Sequence, residues 1–251
     1  MHRLIPLILL SAAACAPRPD TAPRPDTAPR TIEKSPPQVD VTVLEEVVPP
    51  PLDARTAVRN FAAVVADVEP VAEAICIRAA TQSNCDFRIV VDDRPGQPPN
   101  AFQTLDLNGQ PIIGFTIPLI AEARNRDEVA FILAHEAAHH IEGHIARGQR
   151  NAQLGAELAQ AIAGAVGTDA LQEAAQIGAV IGARTFSREF ELEADALGTV
   201  IALEAGYDPI VGARFFTRIP DPGNQFLGTH PANADRVATV ERIVAQMTRV
   251  R

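Results

Sequence analysis

The stretch HEAAHHIEGH, residues 135–144, holds four of the six histidines in a chain of 251 residues. On a helix, side chains four positions apart lie one above the other on the same face. His135 and His139 therefore project in nearly the same direction and can share one ion, with Glu136 beside them. This is the pattern HExxH: two imidazoles suited to zinc, and a glutamate placed to take a proton from an attacking water. Helical rotation of about 100° per residue puts His139 at about 40° from His135, His140 at about 140° and His144 at about 180°. On an unbroken helix, His140 and His144 thus face away from the ligand pair and are left with packing or outer hydrogen bonds.

Two imidazoles and one glutamate do not complete a catalytic zinc site, which takes three protein ligands. The pattern HExxHxxGxxH, with its third ligand six residues after the second histidine, does not fit: Glu142 and Ile145 occupy the glycine and histidine positions. About fifty residues further on, the stretch SREFELEADALG places Glu191 and Asp195 four apart on one predicted helix face. A carboxylate from this second helix can complete the site, or Glu191 can be an ordinary surface acid. Spacing alone leaves both readings open.

Outward from this centre, a helix is predicted from Asn125 to about Gly148, amphipathic, with Asn125 or Asp127 near its cap and acids in its first turn. Upstream, apolar residues at three- and four-residue steps (Val58, Phe61, Val64, Val65, Val68, Val71) predict a helix starting near Leu52. Phe87–Val91 reads as a strand, and Asn108-Gly109 between two apolar runs is a hairpin signal. Downstream, helices are predicted from Ser187 past Gly198, from Pro209 to about Arg218, and from Pro231 to Met247. Residues 151–184, rich in alanine and glycine, read as a closely packed helical hairpin, or as a mobile lid or membrane-touching element. Early strands followed by helices define an α+β class, mostly helical with a small early sheet.

Composition sets further bounds. The chain is 47% hydrophobic but only 4% aromatic, with no Trp, so alanine and small aliphatics must fill the core between closely approaching helices. A net charge of −9 offers no basic face for phosphates and excludes a nucleic-acid partner. MHRLIPLILLSAAAC has the form of an export signal, residues 1–14, ending in small residues before Cys15 as in a bacterial lipobox, where the cysteine is acylated. Residues 15–52 follow as a proline-rich tether of up to ~110 Å at ~3.1 Å per residue, and the folded part spans 53–251. Cys76 and Cys85, with eight residues between them, are expected to form a local disulfide in an exported protein.

HExxH followed by ExEAD resembles the HtpX/BepA-like zinc metallopeptidases, the family that also contains the CAAX prenyl proteases. The stretches NAF (100–102), RDEVAFILAHEAAH (126–139), SREFELEAD (187–195), AGYDP (205–209) and THPANADR (229–236) are similar to that family and occur in its order. The resemblance implies a gluzincin-type zincin domain holding one zinc ion per chain through His135, His139 and Glu191. It implies Glu136 as the catalytic base, Asp195 as the acid steadying a ligand histidine, His230 as a fourth ligand or an aid to the oxyanion, and Arg236 near the same site. It also implies a strand near Ile112–Thr116 as the edge that pairs with an extended substrate. The sequence lacks the multi-span membrane region and the C-terminal helical repeats of some members. The expectation is a periplasmic zinc endopeptidase, lipid-anchored through Cys15 to the outer membrane, acting on unfolded or misassembled envelope proteins. A chaperone or assembly factor on the same fold, without proteolysis, is the alternative.

Overall fold

A computed structural model describes residues 50–79, 83–167, 170–185, 187–218 and 233–250. The signal segment, Cys15, nearly all of the tether and His230 lie outside the described residues. Those described form helices α1 (Ala54–Arg78), α2 (Ile117–Glu122), α3 (Arg126–Ile141), α4 (His144–Ala165), α5 (Leu171–Thr185), α6 (Ser187–Glu204), α7 (Pro209–Arg218) and α8 (Asn233–Val250). Strands β1 (Arg88–Asp92), β2 (Ala101–Leu105) and β3 (Pro111–Thr116) form one sheet, giving an α+β fold dominated by helix.

The helix that carries HExxH is the hub. Asn125 caps α3, accepting the Glu128 N–H at 2.9 Å, and Asp127 and Glu128 lie in the first turn where the helix dipole favours acids. Beyond that turn α3 is buried on nearly every face, from Val129 to Ala138, and so is not the amphipathic helix that the sequence suggests. It runs between α1, α6 and α7 and packs against β2 and β3. Alanines at 130, 134, 137 and 138 let these neighbours approach, and Phe131 meets Phe216 edge-on with ring centroids 5.7 Å apart. Glycine makes the closest approaches. A Cβ on Gly198 of α6 would lie 3.0 Å from the His135 backbone nitrogen, and one on Gly212 of α7 would lie 2.6 Å from the Asp127 carbonyl oxygen.

The predicted helix from Asn125 to Gly148 is broken. Gly143 adopts φ 65°, ψ 34°, the left-handed conformation that glycine takes without steric penalty, and α4 starts anew at His144. Asn108-Gly109 does sit in a hairpin, though within a five-residue loop organised by Asp106, whose carboxylate accepts the N–H groups of Asn108 and Gln110. The sheet order is β1-β3-β2, with β3 parallel to β1 and antiparallel to β2. Ile112–Thr116 is therefore the central strand and not an edge: its neighbours use its backbone hydrogen-bonding capacity on both sides. The edge beside the site is β2.

The described residues of 151–184 lie mainly in α4 and α5, a hairpin packed so tightly that a Cβ on Gly155 would lie 2.1 Å from the Gly178 carbonyl oxygen. No helix among the described residues is long and apolar enough to cross a membrane. Cys76 at the end of α1 is disulfide-bonded to Cys85, with Cα atoms 5.7 Å apart, which ties the first helix to the approach of β1.

Candidate metal centre

Helices α3 and α6 cross at His135, and the absent side chain of Gly198 sets how near they come. That crossing brings residues more than fifty positions apart into one cluster. The Nε2 atoms of His135 and His139 stand 3.0 Å from each other. The Glu191 carboxylate from α6 faces both, with Oε2 3.5 Å from His135 Nε2 and Oε1 3.5 Å from His139 Nε2. Among the described residues, His135, His139 and Glu191 form a group able to hold a metal ion. Tetrahedral zinc with bonds of about 2.0–2.1 Å sets its ligand atoms about 3.3 Å apart, close to the separations here. Two imidazole nitrogens and a carboxylate converge here, and the donor set fits one zinc ion.

Behind His135 lies an ordered electrostatic support. Its Nδ1 is 2.9 Å from Oδ1 of Asp195, a carboxylate with no solvent exposure. A carboxylate only accepts, so the histidine carries its proton on Nδ1 and turns Nε2 toward the site. Arg236 of α8 grips both Asp195 oxygens, donating from Nη2 at 2.7 Å and from Nε at 2.8 Å, while its guanidinium lies 3.5 Å from the Phe216 ring centre. Its Nη2 also comes within 3.7 Å of Glu191. Burial alone would raise the Asp195 pKa, but the hydrogen bonds from Arg236 and His135 outweigh it and hold the acid ionised.

The two facing histidines titrate in opposite directions. Burial and the Arg236 charge work against a proton on His135, yet Asp195 and Glu191 prevail and push it up to about 9. Burial, and then the charge on His135, push His139 down to about 3. Without a metal, the pair carries a single positive charge at neutral pH, on His135.

Glu136, His135, His139, Glu191 and Arg236 all line one cleft of about 610 Å³, whose walls include Ala101 at the start of the β2 edge. Arg218, also on this wall, pairs with the buried Glu128 through its two terminal guanidinium nitrogens, at 2.6 and 2.8 Å, fixing the end of α7 to the start of α3.

The sequence-predicted residues His135, Glu136, His139, Glu191, Asp195 and Arg236 are thus brought together, while His230 lies outside the described residues. His140 does face elsewhere: its Nε2 is 2.7 Å from the Asn84 carbonyl oxygen and its ring meets Phe87 edge-on. His144 does not. The break at Gly143 returns its ring to the site, with Nδ1 2.8 Å from His139 Nδ1. A glycine just past the last buried turn is a helix-stop signal, and it is present in the sequence at Gly143.

A protein-family model described as peptidase family M48 matches residues 62–244. No curated protein matches the chain.

Proposed function

Because the chain belongs to peptidase family M48, we propose that it is a zinc endopeptidase of the bacterial cell envelope that cleaves misfolded or misassembled proteins. The observation that carries this reading is the convergence of His135 Nε2, His139 Nε2 and the Glu191 carboxylate in a cleft that Glu136 also lines. His135, His139 and Glu191 hold the ion. A zinc ion bound there supplies positive charge that polarises a scissile carbonyl and eases proton loss from water.

Glu136 accepts the proton of the attacking water and passes it to the leaving amine. Asp195 keeps the His135 proton on Nδ1, and Arg236 balances the Asp195 charge so that this carboxylate stays ionised in a buried place. His230 takes the role the resemblance implies, as a further ligand or an aid to the oxyanion. An extended polypeptide adds to the sheet along β2, since β3 has neighbours on both sides and Ala101 of β2 lines the cleft. A main-chain pairing mode of this kind suits unfolded segments of varied sequence. Acylation of Cys15 and the proline-rich residues 16–52 tether the catalytic part to the periplasmic face of a membrane, the outer one in a two-membrane host.

The test compares the full chain with Glu136→Gln on a chemically unfolded protein and in cells that lack the gene. Loss of the general base should lower cleavage by about 10²–10⁴-fold and abolish rescue of envelope defects. Full rescue by the inactive variant would instead support the chaperone alternative.

A further inference from the structure

Glu191, Glu193 and Asp195 recur at alternate positions in α6. Glu191 faces the two ligand histidines and Asp195 supports His135. Glu193 reaches the site by another route. Its Oε2 is 2.9 Å from His144 Nε2, and His144 Nδ1 is 2.8 Å from His139 Nδ1. Arg147, one turn along α4, donates to both Glu193 oxygens, from Nη1 to Oε2 and from Nη2 to Oε1 at 3.2 Å. The His144 ring is buried and stacks on Phe190 with centroids 4.5 Å apart and planes 9° from parallel, while the Arg147 guanidinium lies 4.3 Å from the same ring centre. The orientation of His144 is therefore held from several sides.

Proton inventory gives this chain a direction. Glu193 can only accept, so His144 carries its proton on Nε2 and presents a lone pair at Nδ1. Across 2.8 Å the complement is a proton on His139 Nδ1, which leaves His139 Nε2 as a lone pair facing His135 Nε2 and Glu191. We propose that His144 is a positioning residue for the metal centre: held by Glu193, it fixes the tautomer and ring orientation of His139, as Asp195 does for His135. One helix would then supply a ligand together with both carboxylates that orient the histidine ligands, one acting directly and the other through an intervening imidazole. The inference rests on the metal-site reading above.

The experiment measures the zinc dissociation constant of the full chain by competition with a chromophoric chelator, alongside the melting temperature of the metal-free protein. His144→Phe keeps the stack on Phe190 but removes the acceptor, and should weaken zinc binding by about 10–100-fold with little change in melting temperature. His144→Asn, whose Oδ1 can accept in place of Nδ1, should recover most of that loss. A second pair covers poor folding at position 144: Glu193→Gln, which still accepts from His144, should bind zinc better than Glu193→Ala. Equal zinc affinity for the Phe and Asn variants, or for the Gln and Ala variants, would overturn the positioning role while leaving the metal site intact. A wild-type chain that binds no zinc would sink the metal reading, and this inference with it.

Discussion

Asp195 accepts from His135 Nδ1 at 2.9 Å in a place with no solvent exposure, with Arg236 bound to both of its oxygens. An acid so placed has two consequences that can be separated by substitution. Asp195→Ala leaves Arg236 buried without its partner, which should cost about 3–5 kcal/mol of stability in chemical denaturation. Asp195→Asn keeps an acceptor for His135 and should fold better, yet lose about 10–100-fold in zinc affinity by chelator competition. An Asn variant binding zinc as tightly as the wild type would remove Asp195 from the support of the site.

Gly198 lets α6 cross α3 at the level of the first ligand. A Cβ there would meet the His135 nitrogen at 3.0 Å and its Cα at 3.1 Å, backbone atoms that can yield only by moving the helix. Gly198→Ala should cost about 1–3 kcal/mol through overpacking, and Gly198→Val more. Both should weaken zinc binding, because the displaced helix carries Glu191. Thermal melts with and without zinc check this. An alanine variant unchanged in both would contradict the proposed crossing.

Zinc and a proton compete for the facing nitrogens. His135, pushed up to about 9 in the metal-free site, is protonated at pH 7, whereas His139, pushed down to about 3, is not. Zinc binding should therefore release about one proton at pH 7, and affinity should rise about tenfold per pH unit up to pH about 9. Calorimetry in buffers of different ionisation enthalpy measures the proton count. For the metal-free fold the signs differ. The raised His135 pKa contributes stability that is fully present below the unfolded value of 6.5 and is lost as pH rises through 9. The depressed His139 pKa removes stability as pH falls below 6.5 toward 3.

Cys15 carries the localisation proposal. Cys15→Ser should abolish incorporation of labelled palmitate and move the protein from the membrane fraction to the soluble fraction. Unchanged fractionation would place the anchor elsewhere.

The four-residue spacing of His135 and His139 was legible because a helix converts spacing directly into a shared face. The α1 segment was legible from apolar periodicity for the same local reason. What went unread was non-local or depended on one backbone angle. The position of β3 between β1 and β2 is set by pairings with two strands that both precede it in sequence, and no local alternation distinguishes a central strand from an edge. The left-handed turn at Gly143 moved His144 from the far side of a continuous helix to hydrogen-bonding range of His139, although the glycine itself signalled a stop. Asp195 and Arg236 lie 41 residues apart: the four-residue spacing from Glu191 singled out Asp195, whereas only the family resemblance pointed to Arg236. The short α2, capped by Thr116, had no periodic signal long enough to register.

If His135, His139 and Glu191 hold a catalytic zinc ion, that ion should accompany the purified protein and depend on Glu191. The most direct measurement is the metal content of the purified full chain by mass spectrometry, for the wild type and for Glu191→Ala, after dialysis against a weak chelator. About one zinc per wild-type chain is expected, and loss of that zinc from a Glu191→Ala protein that keeps its fold by circular dichroism. A folded wild-type chain that retains no zinc, or a Glu191→Ala chain that retains it as firmly as the wild type, would contradict it.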